Sequence, residues 1–178
     1  MLNKKFTLDS EIHKRLIAIT GDIPETCLLV SIQAQTLSMV KNRSVSATYP
    51  ISTSKYGIGN QEGSNKTPPG IHRIAKKFGA GCPLGRIFKN RKDTGKDWQN
   101  EVIEEDLILT RILRLTGLEP GINQGKGIDS YERFIYFHGT NQEHLIGAPA
   151  SHGCVRMKNS DIIKLFDDVE EGAIVIIS

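Results

Sequence analysis

The sequence predicts a mainly β protein, on three observations. Seventeen glycines and seven prolines are spread through 178 residues. Between them lie many short runs rich in β-branched and apolar residues, too short for typical helices and bounded by turn residues. The length suits one domain with a real buried core.

The elements follow in chain order. Leu2 to Ile19 carries Ile12, Leu16 and Ile19 at helical spacing, with Asp9 or Ser10 placed to cap, and predicts a short helix. Leu28-Leu29-Val30-Ser31-Ile32, Gln35-Thr36-Leu37-Ser38-Met39-Val40 and Ala47 to Ser54 predict three strands. Thr67-Pro68-Pro69-Gly70 is a turn, Gly79 to Gly85 a loop, and Asp93-Thr94-Gly95-Lys96 a second turn. Asp106 to Leu115 is strand-like and stops at the turn Glu119-Pro120-Gly121. Phe134-Ile135-Tyr136-Phe137 is a short apolar run expected of a buried strand. Near the C-terminus Ile162, Leu165, Phe166 and Val169 share one face of a helix, with Asn159 or Ser160 as cap and Gly172 as its end. Ala173 to Ile177 reads as a closing strand.

Charge narrows the function classes. The net charge is only +3, and no interleaving of aromatic and basic residues accompanies it, so nucleic acid is a poor fit. Residues 73–96 hold eight basic and one acidic residue, whereas 97–106 hold five acids and no base. The basic stretch reads either as a solvated surface or as a grip on anionic substrate groups. His13 and His72 are expected to be exposed and idle.

The chemistry concentrates in His138-Gly139-Thr140 and Ser151-His152-Gly153-Cys154-Val155-Arg156. A free thiol has a pKa of about 8.5, so forming the thiolate at pH 7 costs roughly 2 kcal/mol. A histidine within hydrogen-bonding reach supplies that by accepting the proton. The loop Asn141 to Ala150, with Gly147 and Pro149, is suited to bring the strand carrying His138 beside that carrying Cys154. Gly139 and Gly153 are expected to leave backbone open where a substrate comes close. The amides of Gly153 and Cys154 are the expected donors to an oxyanion.

These motifs resemble the signature of the L,D-transpeptidase (YkuD) catalytic domain, a bacterial cysteine acyltransferase family acting on peptidoglycan stem peptides. The three opening strands, the Thr67-Pro68-Pro69-Gly70 turn and the closing strand resemble the family's, from about Cys27 to the end. The resemblance sharpens the fold to a β-sandwich-like catalytic domain over 27–178 with one or two short helices, preceded by an extension over 1–26. It implies that Cys154 attacks the carbonyl of the L-centre of diaminopimelate and expels the terminal D-Ala. It makes His138 the base, oriented through its other nitrogen by the Gly139 carbonyl. His152, Arg156 and Ser151 would line and bind substrate, Arg156 through a substrate carboxylate. No metal or cofactor is implied. The implied partners are stem peptides or muropeptides, without nucleic acid or membrane insertion. The loop between His138 and Ser151 looks short for the family, which bears on lid size and substrate selection.

Plainer readings stand beside these. Cys154 can be read as a buried small hydrophobe, His152 as a structural histidine, and Arg156 as the partner of an internal carboxylate. His138, His144, His152 and Cys154 could be read as zinc ligands, but without the usual ligand spacing. A non-catalytic binding module predicts lost catalytic residues, whereas Cys154 and His138 are both present.

Location sets the expected acceptor. Asp9, Glu11, Lys14 and Arg15 interrupt the first residues, so no apolar signal region is visible, and no run reaches membrane-spanning length. Three cysteines, Cys27, Cys82 and Cys154, form no evident disulfide framework. A cytoplasmic protein is expected, with a periplasmic one as the alternative if an export signal has been removed. The expected activity is an L,D-carboxypeptidase trimming recycled tetrapeptides; the alternative is an L,D-transpeptidase forming 3-3 cross-links or exchanging D-amino acids.

Overall fold

The structure, a computed structural model, describes residues 9–178. Ten strands form one continuous sheet: β1 (Thr26–Ser31), β2 (Thr36–Lys41), β3 (Ser44–Ser52), β4 (Gly70–Phe78), β5 (Arg86–Lys89), β6 (Lys92–Asp97), β7 (Ile108–Gly117), β8 (Tyr136–Gly139), β9 (Val155–Met157) and β10 (Ile174–Ile177). Their order is β4-β10-β1-β2-β3-β9-β8-β7-β5-β6, and an added β4–β7 pairing closes eight of them into a ring. The mainly β, sandwich-like expectation therefore holds, with its layers joined as one barrel-like sheet. Closure of the ring removes most of the exposed edge that an open sheet would offer to other chains.

Alternation decides which side chains enter the ring. Leu28, Leu37, Ile51, Leu113, Leu115, Phe137, Val155 and Met157 fill the main core. Helix α2 (Asn159–Asp168) adds Ile162, Leu165 and Phe166 to it, with Val169 just beyond its end. Its cap differs from expectation. Neither Asn159 nor Ser160 caps it; the Asn159 amide donates to Glu143 Oε1 at 2.7 Å, so a carboxylate from a neighbouring loop meets the positive helix end.

Helix α1 (Ser10–Thr20) is capped by Asp9, whose Oδ1 accepts from the amides of Glu11 and Ile12. The part of the expected helix from Leu2 to Leu8 lies outside the described residues. Leu16 anchors α1 against Cys27, Val40, Ile71 and Ile174, and Arg15 pairs with Glu119. Ile19 is 38% exposed, so only the first turns of the expected apolar face pack.

Two further expectations change. Asp93 to Lys96 is strand rather than turn; the reversal between β5 and β6 falls at Asn90 and Arg91, both with positive φ. Asp93 does make a local turn contact, its Oδ1 accepting from the Gly95 amide, which is the chemistry the sequence advertised. His13 is exposed as expected, but His72 is fully buried within β4. Its Nδ1 donates to the Gly70 carbonyl at 3.1 Å and its Nε2 lies 2.9 Å from Ser130 Oγ. Among the described residues no helix is long and apolar enough to cross a membrane.

Candidate active site

Two segments with the same alternation build the site on the outer face of the ring. Leading into and along β8, Ile135 and Phe137 point into the core, which turns Tyr136 and His138 outward. In β9, Val155 and Met157 point inward, which turns Cys154 and Arg156 outward. The two strands run parallel with Phe137 opposite Val155 and His138 opposite Arg156. Continuing that register one step puts Tyr136 opposite Cys154. Cys154 and the imidazole of His138 thus share a face on adjacent strands, two residues apart in register. The connection between them is the dozen or more residues that a parallel pair requires. It holds a single 3-10 turn at Glu143–Leu145.

His138 is 2% exposed and its Nδ1 lies 2.7 Å from the Gly139 carbonyl oxygen. A carbonyl only accepts, so Nδ1 carries the proton and Nε2 of the neutral ring is left with the lone pair that can accept one. Burial pulls the imidazole below its ordinary pKa, with Asp106 and the Gly139 carbonyl working the other way. Gly139 is glycine for an internal reason. A Cβ there would collide with Asn159 Oδ1 and the Leu109 carbonyl, so the close approach expected of a substrate is made by the protein itself.

Cys154 is part-buried, packed near Phe88, Ile112 and Tyr136. Its Sγ donates to the Phe134 carbonyl at 3.4 Å. Burial pushes the thiol up to about 12, against the Tyr136 amide, which donates to the sulfur. The resting pair is therefore a neutral thiol and a neutral imidazole, so proton transfer has to accompany attack.

The residues around the thiol divide into those that hold the loop and those that face solvent. Ser151 is buried; its Oγ donates to the Cys154 carbonyl at 2.6 Å and accepts from the Gly153 amide at 3.2 Å. Ser151 is thus a positioning residue rather than a substrate contact. The same bond engages one of the two expected oxyanion donors, the Gly153 amide, leaving that of Cys154. The Tyr136 amide, already aimed at the sulfur, is the further candidate the sequence did not show. Gly153 has φ +122, a conformation that favours glycine, and Thr67 Oγ1 donates to its carbonyl at 3.0 Å. The Thr67-Pro68-Pro69-Gly70 turn therefore clamps the nucleophile loop from a distant part of the chain.

Arg156 corrects a second expectation. Its side chain is fully buried, so it cannot meet a substrate carboxylate where it stands. Nη1 contacts Asp106 Oδ2 at 3.1 Å and donates to Gln142 Oε1 at 2.8 Å, and Nη2 donates to Ser52 Oγ at 3.2 Å. Thr140 Oγ1 donates to the other Asp106 oxygen. The carboxylate it pairs with is internal, and the pair underlies His138.

His152 alone of the three expected substrate contacts is exposed, beside Tyr56 with ring centroids 5.8 Å apart. It lines a cleft of about 180 Å³ with Glu62, Asn65, Arg133, Phe134 and Ile135. A larger hollow under α1, about 260 Å³ and lined mainly by isoleucines, contains neither thiol nor imidazole. Among the described residues no three His, Cys, Asp or Glu side chains are grouped to hold a metal ion.

Comparison with known proteins places the chain in a family. Residues 25–177 match the model of the YkuD family, the L,D-transpeptidase catalytic domain. The YkuD protein of Bacillus subtilis (strain 168), named as an L,D-transpeptidase, is 28% identical over 152 residues, 85% of this chain and 65% of its own length. An L,D-transpeptidase from Mycobacterium smegmatis superposes with a TM-score of 0.54 at 18% identity, over 86% of this chain and 58% of that one. One from Enterococcus faecium gives 0.54 at 17%, over 88% and 50%. The two solved structures bear on the fold alone.

Proposed function

This chain belongs to the L,D-transpeptidase catalytic domain family, and from that premise we propose that it transfers the acyl group of peptidoglycan tetrapeptides through Cys154, with water as acceptor, as an L,D-carboxypeptidase. The observation that carries the reaction is the shared outward face of Cys154 and His138, with Nδ1 of the imidazole committed to the Gly139 carbonyl.

The steps follow from the protonation states. Sγ attacks the carbonyl carbon of the residue before the terminal D-Ala, while Nε2 of His138 takes the thiol proton. The oxyanion is met by the amides of Cys154 and Tyr136. The intermediate collapses with cleavage of the C–N bond; the imidazolium returns its proton to the departing amine, and a thioester remains. Water then attacks the thioester, His138 takes its proton, and the C–S bond breaks to release tripeptide and the thiol. Asp106, close enough to favour the charged imidazole, lowers the cost of the imidazolium in each half.

Water as acceptor is supported by cysteine usage. All three cysteines are free, as suits a reducing cytoplasm, where soluble peptides are available and no mature wall is. A second reading, transfer to an amine with 3-3 cross-linking or D-amino acid exchange, is favoured by the names of the relatives. The two separate when a disaccharide tetrapeptide is incubated with the protein and excess D-amino acid. Tripeptide alone supports hydrolysis; exchanged tetrapeptide or dimer overturns it in favour of transfer.

A further inference from the structure

Near the thiol and its neighbours Phe134 and Tyr136 stand three guanidinium groups without a carboxylate in ion-pair distance among the described residues. Arg133 lies in the cleft itself, part-buried, with Nη1 donating to the Gly59 carbonyl at 3.1 Å and Nη2 to the Lys66 carbonyl at 2.7 Å. Those two carbonyls aim the group without giving it an ion-pair partner and leave most of its five N–H donors unassigned. Arg114 is 8% exposed and is the register partner of Tyr136. It stacks on Tyr131 at 3.4 Å and lies 5.1 Å from the Phe134 ring, and its Nε has no hydrogen-bond partner. Arg91, at the β5–β6 turn, lies 4.8 Å from the same Phe134 ring and donates to the Tyr136 hydroxyl at 3.2 Å. Phe134 is the residue whose carbonyl accepts the Cys154 thiol.

Elsewhere the pattern is mixed: the buried Arg111 holds only the Cys82 and Thr110 carbonyls, while other guanidinium groups are ion-paired. Arg86 holds Asp93 and Asp97, and Arg156 holds Asp106. Glu62 and Glu132 line the same cleft outside ion-pair distance, Glu62 near enough to act on the Arg133 charge, so an incoming anion has to compete with them. A partly desolvated, unpaired guanidinium is costly to keep, and a planar carboxylate is the ligand its fork fits best. An enzyme that removes a single terminal residue meets such a carboxylate two bonds beyond the scissile nitrogen.

We propose that Arg133 binds the C-terminal carboxylate of the donor peptide, and that Arg91 and Arg114, both against the Phe134 ring, supply the positive potential that draws it in. This assigns part of the basic stretch, through Arg91, to the substrate, and makes the cleft selective for chain ends. It rests on the acyl-transfer reading at Cys154.

The test uses the full chain carrying Cys154→Ala, titrated calorimetrically with a stem tetrapeptide ending in D-Ala and with the same peptide amidated at its C-terminus. The free acid is expected to bind about tenfold to a hundredfold more tightly, the loss of a charge-assisted contact. Adding Arg133→Gln is expected to bring the two ligands to similar affinity. Equal affinity of acid and amide before Arg133 is changed overturns the proposal, as does binding of neither. An acid preference that survives Arg133→Gln also overturns it. Because the acid–amide comparison needs no change at Arg133, a poorly folded variant does not shield the idea. Turnover by the unmodified chain is followed separately: acid-selective binding without tripeptide release removes the acyl-transfer reading and leaves the carboxylate site standing.

Discussion

His138 and Arg156 are direct partners across the parallel strands β8 and β9, and this pairing sets Cys154 on the same outward face as the imidazole. The arginine in that pair is not a substrate ligand but the buried end of an ion pair with Asp106. The placing of His138, Cys154 and Arg156 therefore depends on one register, and a one-residue slip of β9 would turn Cys154 and Arg156 into the core and away from His138.

Replacement of the base is the first prediction. His138→Ala is expected to lower kcat/KM by about 10² to 10⁴-fold, the usual range for a general base. Because the thiol is held so high, recovery is expected only well above pH 9. In the unmodified protein the imidazole must be neutral, and burial lowers its pKa from 6.5, so kcat/KM is expected to stay level down to about that pH and fall below it. Undiminished turnover in His138→Ala would transfer the base role to His152.

The thiol makes its own prediction. A group pushed up to about 12 ionises progressively through the accessible range. The rate of alkylation of Cys154 by iodoacetamide is expected to rise about tenfold per pH unit from 7 to 10, without levelling near 8.5. Fast, pH-independent alkylation below pH 8 would mean a standing thiolate–imidazolium pair instead.

His72 links stability to pH. Its burial, only partly offset by the Gly70 carbonyl, lowers its pKa to about 4 from 6.5. Above pH 6.5 both folded and unfolded states hold it neutral and it contributes no pH dependence. As pH falls from 6.5 to about 4 the unfolded chain takes up a proton that the folded one refuses, so stability falls by about 3 kcal/mol over that window and no further below it. Denaturant midpoints of His72→Gln against the unmodified protein at pH 7 and pH 4.5 check this: the gap between them is expected to shrink at the lower pH. His138 contributes in the same direction, so the slope is not expected to vanish.

Removing Asp106 strands a buried cation. Asp106→Ala leaves Arg156 without its carboxylate in a fully buried position, and a loss of about 3 kcal/mol is expected in urea unfolding. The double change Asp106→Ala with Arg156→Met is expected to recover part of that. A single variant as stable as the original would mean that Gln142 and Ser52 suffice for Arg156.

Much of the site could be read in advance because it is local. The alternation in Ile135 to His138 and Cys154 to Met157 carries the facing of every reactive group, and Asp9 announces the start of α1. What could not be read is long-range. Nothing in the sequence joins Asp106 to Arg156, or Thr67 to Gly153, across their separations. Ser151 looked like a substrate contact because a hydroxyl beside a nucleophile has two uses, and here the backbone of its own loop claims it. His72 reads as exposed, but the strand that holds it, β4, is paired along both edges, by β10 and β7. Arg133 carried no signal at all, since its importance lies in what surrounds it in space.

The most direct measurement is the intact mass of the protein during turnover of a stem tetrapeptide, quenched in acid at early times. A species heavier by one tripeptidyl group, mapping to Cys154 and absent from Cys154→Ala, is the predicted result. Release of tripeptide by Cys154→Ala, or an adduct on another residue, would contradict it.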